Sequence, residues 1–244
     1  MQSITRKLFL TLVAVCVMSV VGTATASAYT NPILVNAKGE HVSKVKFTGV
    51  GGSGWWPMEL TSGTFECKGQ ETSTGELSTT GIGTAAKTSG TATLIFKGCA
   101  YAGGTCHTGV AGEIELNYSL SAVWLGKESE EKLGVLAAIA PESKKPGNGE
   151  GGKVKITCAG VTGELEGGYV ARLSRKLGET FTGDSLEANA GNHKKQEYTK
   201  FTEEGTEQES SLWWSAGKGS PFEQTATELT EEQTFPETVE ITKS

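Results

Sequence analysis

Thr91–Thr108, TATLIFKGCAYAGGTCHT, decides how the rest of the chain is read. In an extended chain Leu94 and Phe96 point one way while Thr93, Ile95 and Lys97 point the other, and Thr, Ile and Phe all suit a pleated surface. Gly98 then frees the backbone, and Gly103 with Gly104 lets it turn sharply. The stretch predicts a buried strand running into a small loop that Cys99 and Cys106 can close. On the chain-entropy model such a bridge contributes roughly 2–3 kcal/mol. Cys67 and Cys158 form the remaining pair by elimination, worth about 4–5 kcal/mol on the same model. Proximity alone supports this pairing, since four cysteines permit other connectivities.

Upstream, Arg6 and Lys7 precede an apolar run from Leu8 to Val21, followed by small residues ending in Ala26-Ser27-Ala28. That pattern predicts an export signal cleaved after Ala28. The apolar run falls short of the roughly 17–25 residues a spanning helix needs. Cys16 lies inside it behind the bulky Val15, where a lipid-attachment signal wants a small residue, so it leaves with the signal. The four remaining cysteines are an even number suited to an oxidising compartment. The expected location is therefore secreted or cell-surface.

Residues 29–244 are long enough to bury a core as one all-β domain, with Tyr29–Gly39 as a loosely ordered or edge-docked lead-in. The chain carries 22 basic and 28 acidic residues, a net charge of -6. Its paired lysines, Lys144-Lys145 and Lys194-Lys195, are isolated, which argues against nucleic acid as a partner. Asp184 is the only aspartate. An Asp-rich calcium loop is thereby excluded, although scattered glutamates and carbonyls could still hold an ion. No cofactor is expected.

Alternation recurs along the chain. Val45 and Phe47 mark a first strand, Phe65 and Cys67 another, and Gln70–Gly90 is either two thin strands or a long loop. Ile114, Leu116, Tyr118, Leu120 and Ala122 share one face of the longest clear strand, with Glu113, Glu115, Asn117 and Ser119 opposite. Leu133–Ile139 is uniformly apolar and reads as either a strand or one or two helical turns, the strand being preferred; Pro141–Gly152 reads as a loop, and Val161–Leu173 as a long or bulged strand broken at its glycines. Glu228–Glu232 reads as a charged edge or turn, and Thr238–Thr242 as a closing strand. Short strands at regular spacing predict about 10–14 strands in an antiparallel β-sandwich or β-barrel.

Phe65-Glu66-Cys67, Phe96-Lys97-Gly98-Cys99 with nearby Cys106, Gly112-Glu113-Ile114, Ile156-Thr157-Cys158 and Pro221-Phe222-Glu223-Gln224 occur in an order that resembles a group of exported, Cys-containing β-proteins. These come from Solirubrobacter-like soil actinobacteria and have no assigned activity. The resemblance spans most of the chain after Ala28 and implies secretion and a shared β scaffold.

Catalytic candidates are few. Cys99, Cys106 and His107 could imitate part of a zinc site, but a disulfide explains the two thiols, and no metal site is expected. A Ser-His-Asp triad would need Asp184 or a glutamate, and no Gly-x-Ser-x-Gly elbow occurs. No catalytic residue is assigned. Glu113 and Glu115 share a strand face and are the candidates for a secreted glycoside hydrolase, an alternative function that requires two carboxylates about 5–9 Å apart. Trp55, Trp56, Trp213 and Trp214 are the binding candidates, because exposed indoles stack on sugar faces or anchor protein partners. The leading expectation is a non-catalytic exported or surface protein that binds a glycan or protein. A structural envelope component is the other alternative, distinguished by an open apolar strand edge where a binder shows a concave aromatic groove.

Overall fold

Alternating residues carry the chain into strands almost throughout. The computed structural model describes residues 29–53, 58–60, 63–140, 152–189, 196–217 and 219–244. The expected export signal, Trp55, Trp56 and the loop as far as Gly151 lie outside the described residues. The first half holds β1 (Pro32–Asn36), β2 (Val45–Ser53), β3 (Met58–Leu60), β4 (Gly63–Cys67), β5 (Gln70–Thr80), β6 (Lys87–Lys97), β7 (Cys99–Tyr101), β8 (Gly104–His107) and β9 (Glu113–Leu125). The second holds β10 (Leu133–Ile139), β11 (Lys153–Cys158), β12 (Val161–Leu173), β13 (Thr180–Ala188), β14 (Lys200–Glu203) and β15 (Thr206–Glu209). It ends with β16 (Leu212–Ser215), β17 (Glu223–Thr225) and β18 (Leu229–Lys243). No α-helix occurs among the described residues.

Eight strands close an antiparallel barrel in the order β2, β5, β6, β9, β10, β12, β13, β18 and back to β2. Closure removes the open edges that a flat sheet would expose. The expected alternatives of sandwich and barrel thus resolve to a barrel with extra strands. The strand segments exceed the 10–14 expected because several are three- or four-residue pieces with too little alternation to read. The Tyr29–Gly39 lead-in docks as β1 against the end of β18, pairing Leu34 with Ile241.

Inside, Phe47, Leu94, Leu116, Tyr118, Tyr169, Leu186 and Phe235 belong to one continuous buried cluster. Leu133–Ile139 is a strand, β10, and not the helical turn its uniform apolar run also allowed. Gln70–Gly90 forms β5 and the start of β6, two long strands whose pairing runs from Thr72↔Ile95 to Thr80↔Lys87. Their low apolar content hid them, because backbone ladders on both sides hold β5 in place. Glu228–Glu232 is not a charged edge or turn throughout. Leu229–Glu232 lies within β18, and Glu231 is buried inside the barrel at 2 % exposure.

A second sheet grows from one side of the barrel. It runs β3–β4–β7–β8–β11–β12–β16–β17, with short strands throughout except β12. β12 serves both regions: Glu164–Gly167 pairs with β16, and Gly168–Arg172 pairs with β10. The change of partner falls at Gly167, whose φ of 93° only glycine adopts readily.

Both disulfides lie in this side sheet, and their pairing corrects the proximity expectation. The bridges are Cys67–Cys99 and Cys106–Cys158, not Cys99–Cys106 and Cys67–Cys158. Cys99 and Cys106 are indeed neighbours, since continuing the β7–β8 register one step beyond Ala100↔Thr105 sets them opposite each other. The register makes a row of all four cysteines across β4, β7, β8 and β11. The ladder decides which neighbours join. Lys68 N–H donates to the Gly98 carbonyl, and Ala159 N–H to the Thr105 carbonyl. By alternation Cys99 and Cys106 turn their own backbone groups away from Cys67 and Cys158. The two outer pairs are then the close, non-hydrogen-bonded kind, with Cα atoms 3.9 and 4.1 Å apart.

Candidate functional site

Where the side sheet leaves the barrel, the outer wall turns concave. The hairpin β14–β15 forms one bank. It lies on the barrel because Phe201 packs with Val123, Leu125 and Val170 in a buried cluster outside the main core. Phe201 also pairs in register with Leu125 of β9. The hairpin turn, Glu204-Gly205, has positive φ at both residues, which matches the twist of the strands it joins. β16 forms the opposite bank through its pairing with β12.

Between them is an open groove of about 1090 Å³. Its floor consists of small polar residues from β6 and β9, including Ser89, Thr91, Ser119 and Ser121. Glu166, Glu203, Glu204 and Glu209 stand around it with a single lysine, Lys87. Lys87 Nζ donates to Glu204 Oε1 at 3.0 Å, which raises the lysine above its ordinary value. Burial lifts the Glu203 carboxyl above its usual range, opposed by Lys87. Glu166 is engaged by Lys153 at 2.8 Å. The groove is thus acidic and rich in hydroxyl and carboxyl hydrogen-bonding groups.

Trp213 lines this groove and remains 39 % exposed. Its neighbour Trp214 points to the other face of β16, into the core, at 7 % exposure. Gly163 makes room for that indole, since a Cβ there would collide with the ring. The Trp213-Trp214 pair is therefore divided between surface and core, as successive residues on a strand must be. Trp55 and Trp56 fall outside the described residues. The fifth tryptophan, Trp124, is fully buried and donates its Nε1–H to the Thr30 carbonyl at 2.6 Å.

Glu113 and Glu115 lie on the outer face of β9, away from the groove lining. Glu113 faces Lys97 at 4.0 Å, an ordinary surface pair. Cys106 is in a disulfide, so its thiolate is unavailable to a metal beside His107. No group of three or more His, Cys, Asp or Glu residues suited to a metal ion occurs among the described residues. The groove carboxylates escaped sequence reasoning because they come from β12 and the β14–β15 hairpin, which meet only through barrel closure.

The fold and groove define a closed antiparallel β-barrel with a disulfide-tied side sheet and an acidic, tryptophan-bearing cleft. No protein-family model, no curated protein and no solved structure matches this chain. No helix among the described residues is long and apolar enough to cross a membrane.

Proposed function

We propose that this is an exported or cell-surface binding protein that holds a glycan chain in the groove over Trp213, without catalysing a reaction on it. The observation carrying the reading is an indole left 39 % exposed in a cleft floored by hydroxyl groups. An indole face stacks on the C–H face of a sugar ring. The flanking Ser, Thr and Glu side chains accept and donate to sugar hydroxyls, the usual division of labour in a ligand cleft. Two disulfides suit an oxidising extracellular setting. The N-terminal signal pattern and the resemblance to exported actinobacterial proteins agree with that setting.

Self-assembly into an envelope layer is less well supported. The outer strand of the β14–β15 hairpin carries Thr206, Glu207, Gln208 and Glu209, all exposed. A charged strand of this kind discourages edge-to-edge pairing. The test is affinity electrophoresis or calorimetry against a panel of soluble polysaccharides, with intact protein and a Trp213→Ala variant. The proposal expects at least one saccharide to bind, and a loss of about tenfold or more on removing the indole. Failure of every saccharide, or binding unchanged in the variant, overturns it.

A further inference from the structure

The groove over Trp213 carries more negative charge than its own cations balance. Glu203 ends β14, Glu204 opens the hairpin turn and Glu209 ends β15, while Glu166 lies on β12 beside the opposite bank. Lys87 is the only basic residue among the described lining residues, and it is bonded to Glu204. Lys153 engages Glu166. Glu203 and Glu209 are left without a salt bridge among the described residues. Lys200, which feels the Glu209 charge, is bonded instead to Glu207, outside the groove.

The indole is an observation independent of these acids, and it selects the same charge. An aromatic face attracts a cation as well as the C–H face of a sugar. Glu166 is the register partner of Trp213, so a carboxylate stands next to the ring on the same face of the sheet. Burial lifts the Glu203 carboxyl, and Lys87, which opposes the rise, is already bonded to Glu204. A ligand cation beside Glu203 would supply the counter-charge that burial denies it. The floor hydroxyls of Ser89, Thr91, Ser119 and Ser121 suit a chain with many hydroxyls of its own. The floor strands β6, β9 and β10 are paired on both sides. A basic peptide therefore finds no backbone edge there to extend.

We propose that the groove selects a glycan bearing free, protonated amino groups, a chain of amino sugars, over neutral or uronic-acid chains. This rests on the glycan reading of the same groove and specifies its substrate class. Trp213 stacks a sugar ring on one bank, and Glu203 and Glu209 receive ammonium groups on the other. An ammonium donating to a carboxylate makes a bond roughly twice as strong as one between neutral groups. A neutral chain meets the indole and the hydroxyl floor but leaves both acids without a counter-charge. A uronic-acid chain brings like charge against them. N-acetylation of the amines removes the charge and with it the preference.

Calorimetry of the disulfide-intact protein at about pH 6 and low salt tests this. The probes are six-sugar oligomers of glucosamine, N-acetylglucosamine, glucose and galacturonic acid, with hexalysine as the basic peptide. The glucosamine oligomer should bind about tenfold or more tightly than the glucose and N-acetylated oligomers and than hexalysine, and the galacturonate oligomer should not bind. High salt should shrink that preference, because exposed charges are screened. The double variant Glu203→Gln, Glu209→Gln should bring the glucosamine-to-glucose affinity ratio towards one. Equal binding of the glucosamine and glucose oligomers, with both lost in Trp213→Ala, overturns this inference and leaves the glycan reading standing. Silence from every oligosaccharide removes both. Hexalysine binding as tightly as the glucosamine oligomer overturns the inference in favour of a basic peptide. A preference that survives in the double variant overturns the role of the two acids.

Discussion

The barrel and the side sheet solve the same problem by opposite means. In the barrel, strands of up to fifteen residues pair on both edges and close on themselves. No covalent tie lies within that ring, and its ladder is continuous enough to bury Glu71, Asp184 and Glu231. In the side sheet β3, β4, β7, β8, β16 and β17 run three to five residues each. Such pieces bury little, and both disulfides are found there. Cross-links thus occur where backbone pairing is shortest. The barrel closes without them.

Removing both bridges is the strongest way to break this comparison. The chain-entropy model assigns about 4 kcal/mol to each of the loops closed by Cys67–Cys99 and Cys106–Cys158, or about 8 kcal/mol together. With all four cysteines changed to alanine, amides of β4, β7, β8 and β11 should lose hydrogen-exchange protection while those of β5, β6, β9 and β18 keep theirs. Equal loss in both sets would show that barrel and side sheet unfold as one unit.

The acid pair sharpens the contrast from the barrel's side. Burial first, then the neighbouring Glu231 carboxylate, pushes the Glu71 carboxyl up to about 9. The folded chain therefore holds a proton that the unfolded chain releases near pH 4.5. More protons bound in the folded state means stability falls as pH rises through that window, and is lowest above about pH 9. Among the groups facing the pair, Tyr118 and Tyr169 are raised by burial and stay protonated throughout. Asp184 is also raised by burial and adds a smaller decline at the acid end. Glu71→Gln should stabilise the protein by about 2–5 kcal/mol at pH 8 and flatten the alkaline limb of its melting curve. A mutant as pH-sensitive as the parent would mean that Glu71 is already ionised in the fold.

A third test probes how tightly the barrel wall is packed. A methyl on Gly75 of β5 would collide with the Phe47 ring and sit 2.6 Å from the Thr91 carbonyl oxygen. Overpacking of this kind costs about 1–3 kcal/mol. Denaturant unfolding of Gly75→Ala should show that loss. The same change at exposed Gly109 has nothing within 4 Å to meet and should leave the midpoint within experimental error.

These residues also mark where reading the chain succeeds and where it stops. Leu94, Phe96, Ile114, Leu116 and Tyr118 announce β6 and β9 because each strand has one apolar and one polar face. β5 and the start of β18 do not, since their inward positions include Glu71, Ser73, Gly75, Glu231 and Gln233. An acid pointing inward looks like an acid at an edge until the glycines that admit it, Gly49 and Gly51 of β2, are seen across the ladder. Disulfide membership was legible from count and compartment. The pairing was not, because separation along the chain says nothing about which members of a cross-strand row are the close pair. The groove was half legible: adjacent tryptophans imply one face in and one out, but the opposite bank comes from a hairpin whose position barrel closure sets.

The smallest predicted effect lies at the hairpin between the two bridges. β7 and β8 are joined by Ala102-Gly103, with φ of 48° and 81°. Both residues occupy the left-handed region that a two-residue hairpin of this twist demands. Glycine accepts it freely, but alanine pays roughly 1 kcal/mol for its Cβ. Asparagine tolerates that backbone better through local hydrogen bonding, and Ala102 is exposed, so the larger side chain has room. Ala102→Asn should raise stability by about 0.5–1 kcal/mol in urea unfolding. In the cysteine-free variant the same substitution should restore measurable exchange protection to β7 and β8, because local turn preference then competes with fraying and no longer adds to a cross-linked frame. A gain confined to the cross-linked protein would mean that the turn is held by its disulfides, and that the side sheet has no hairpin preference of its own.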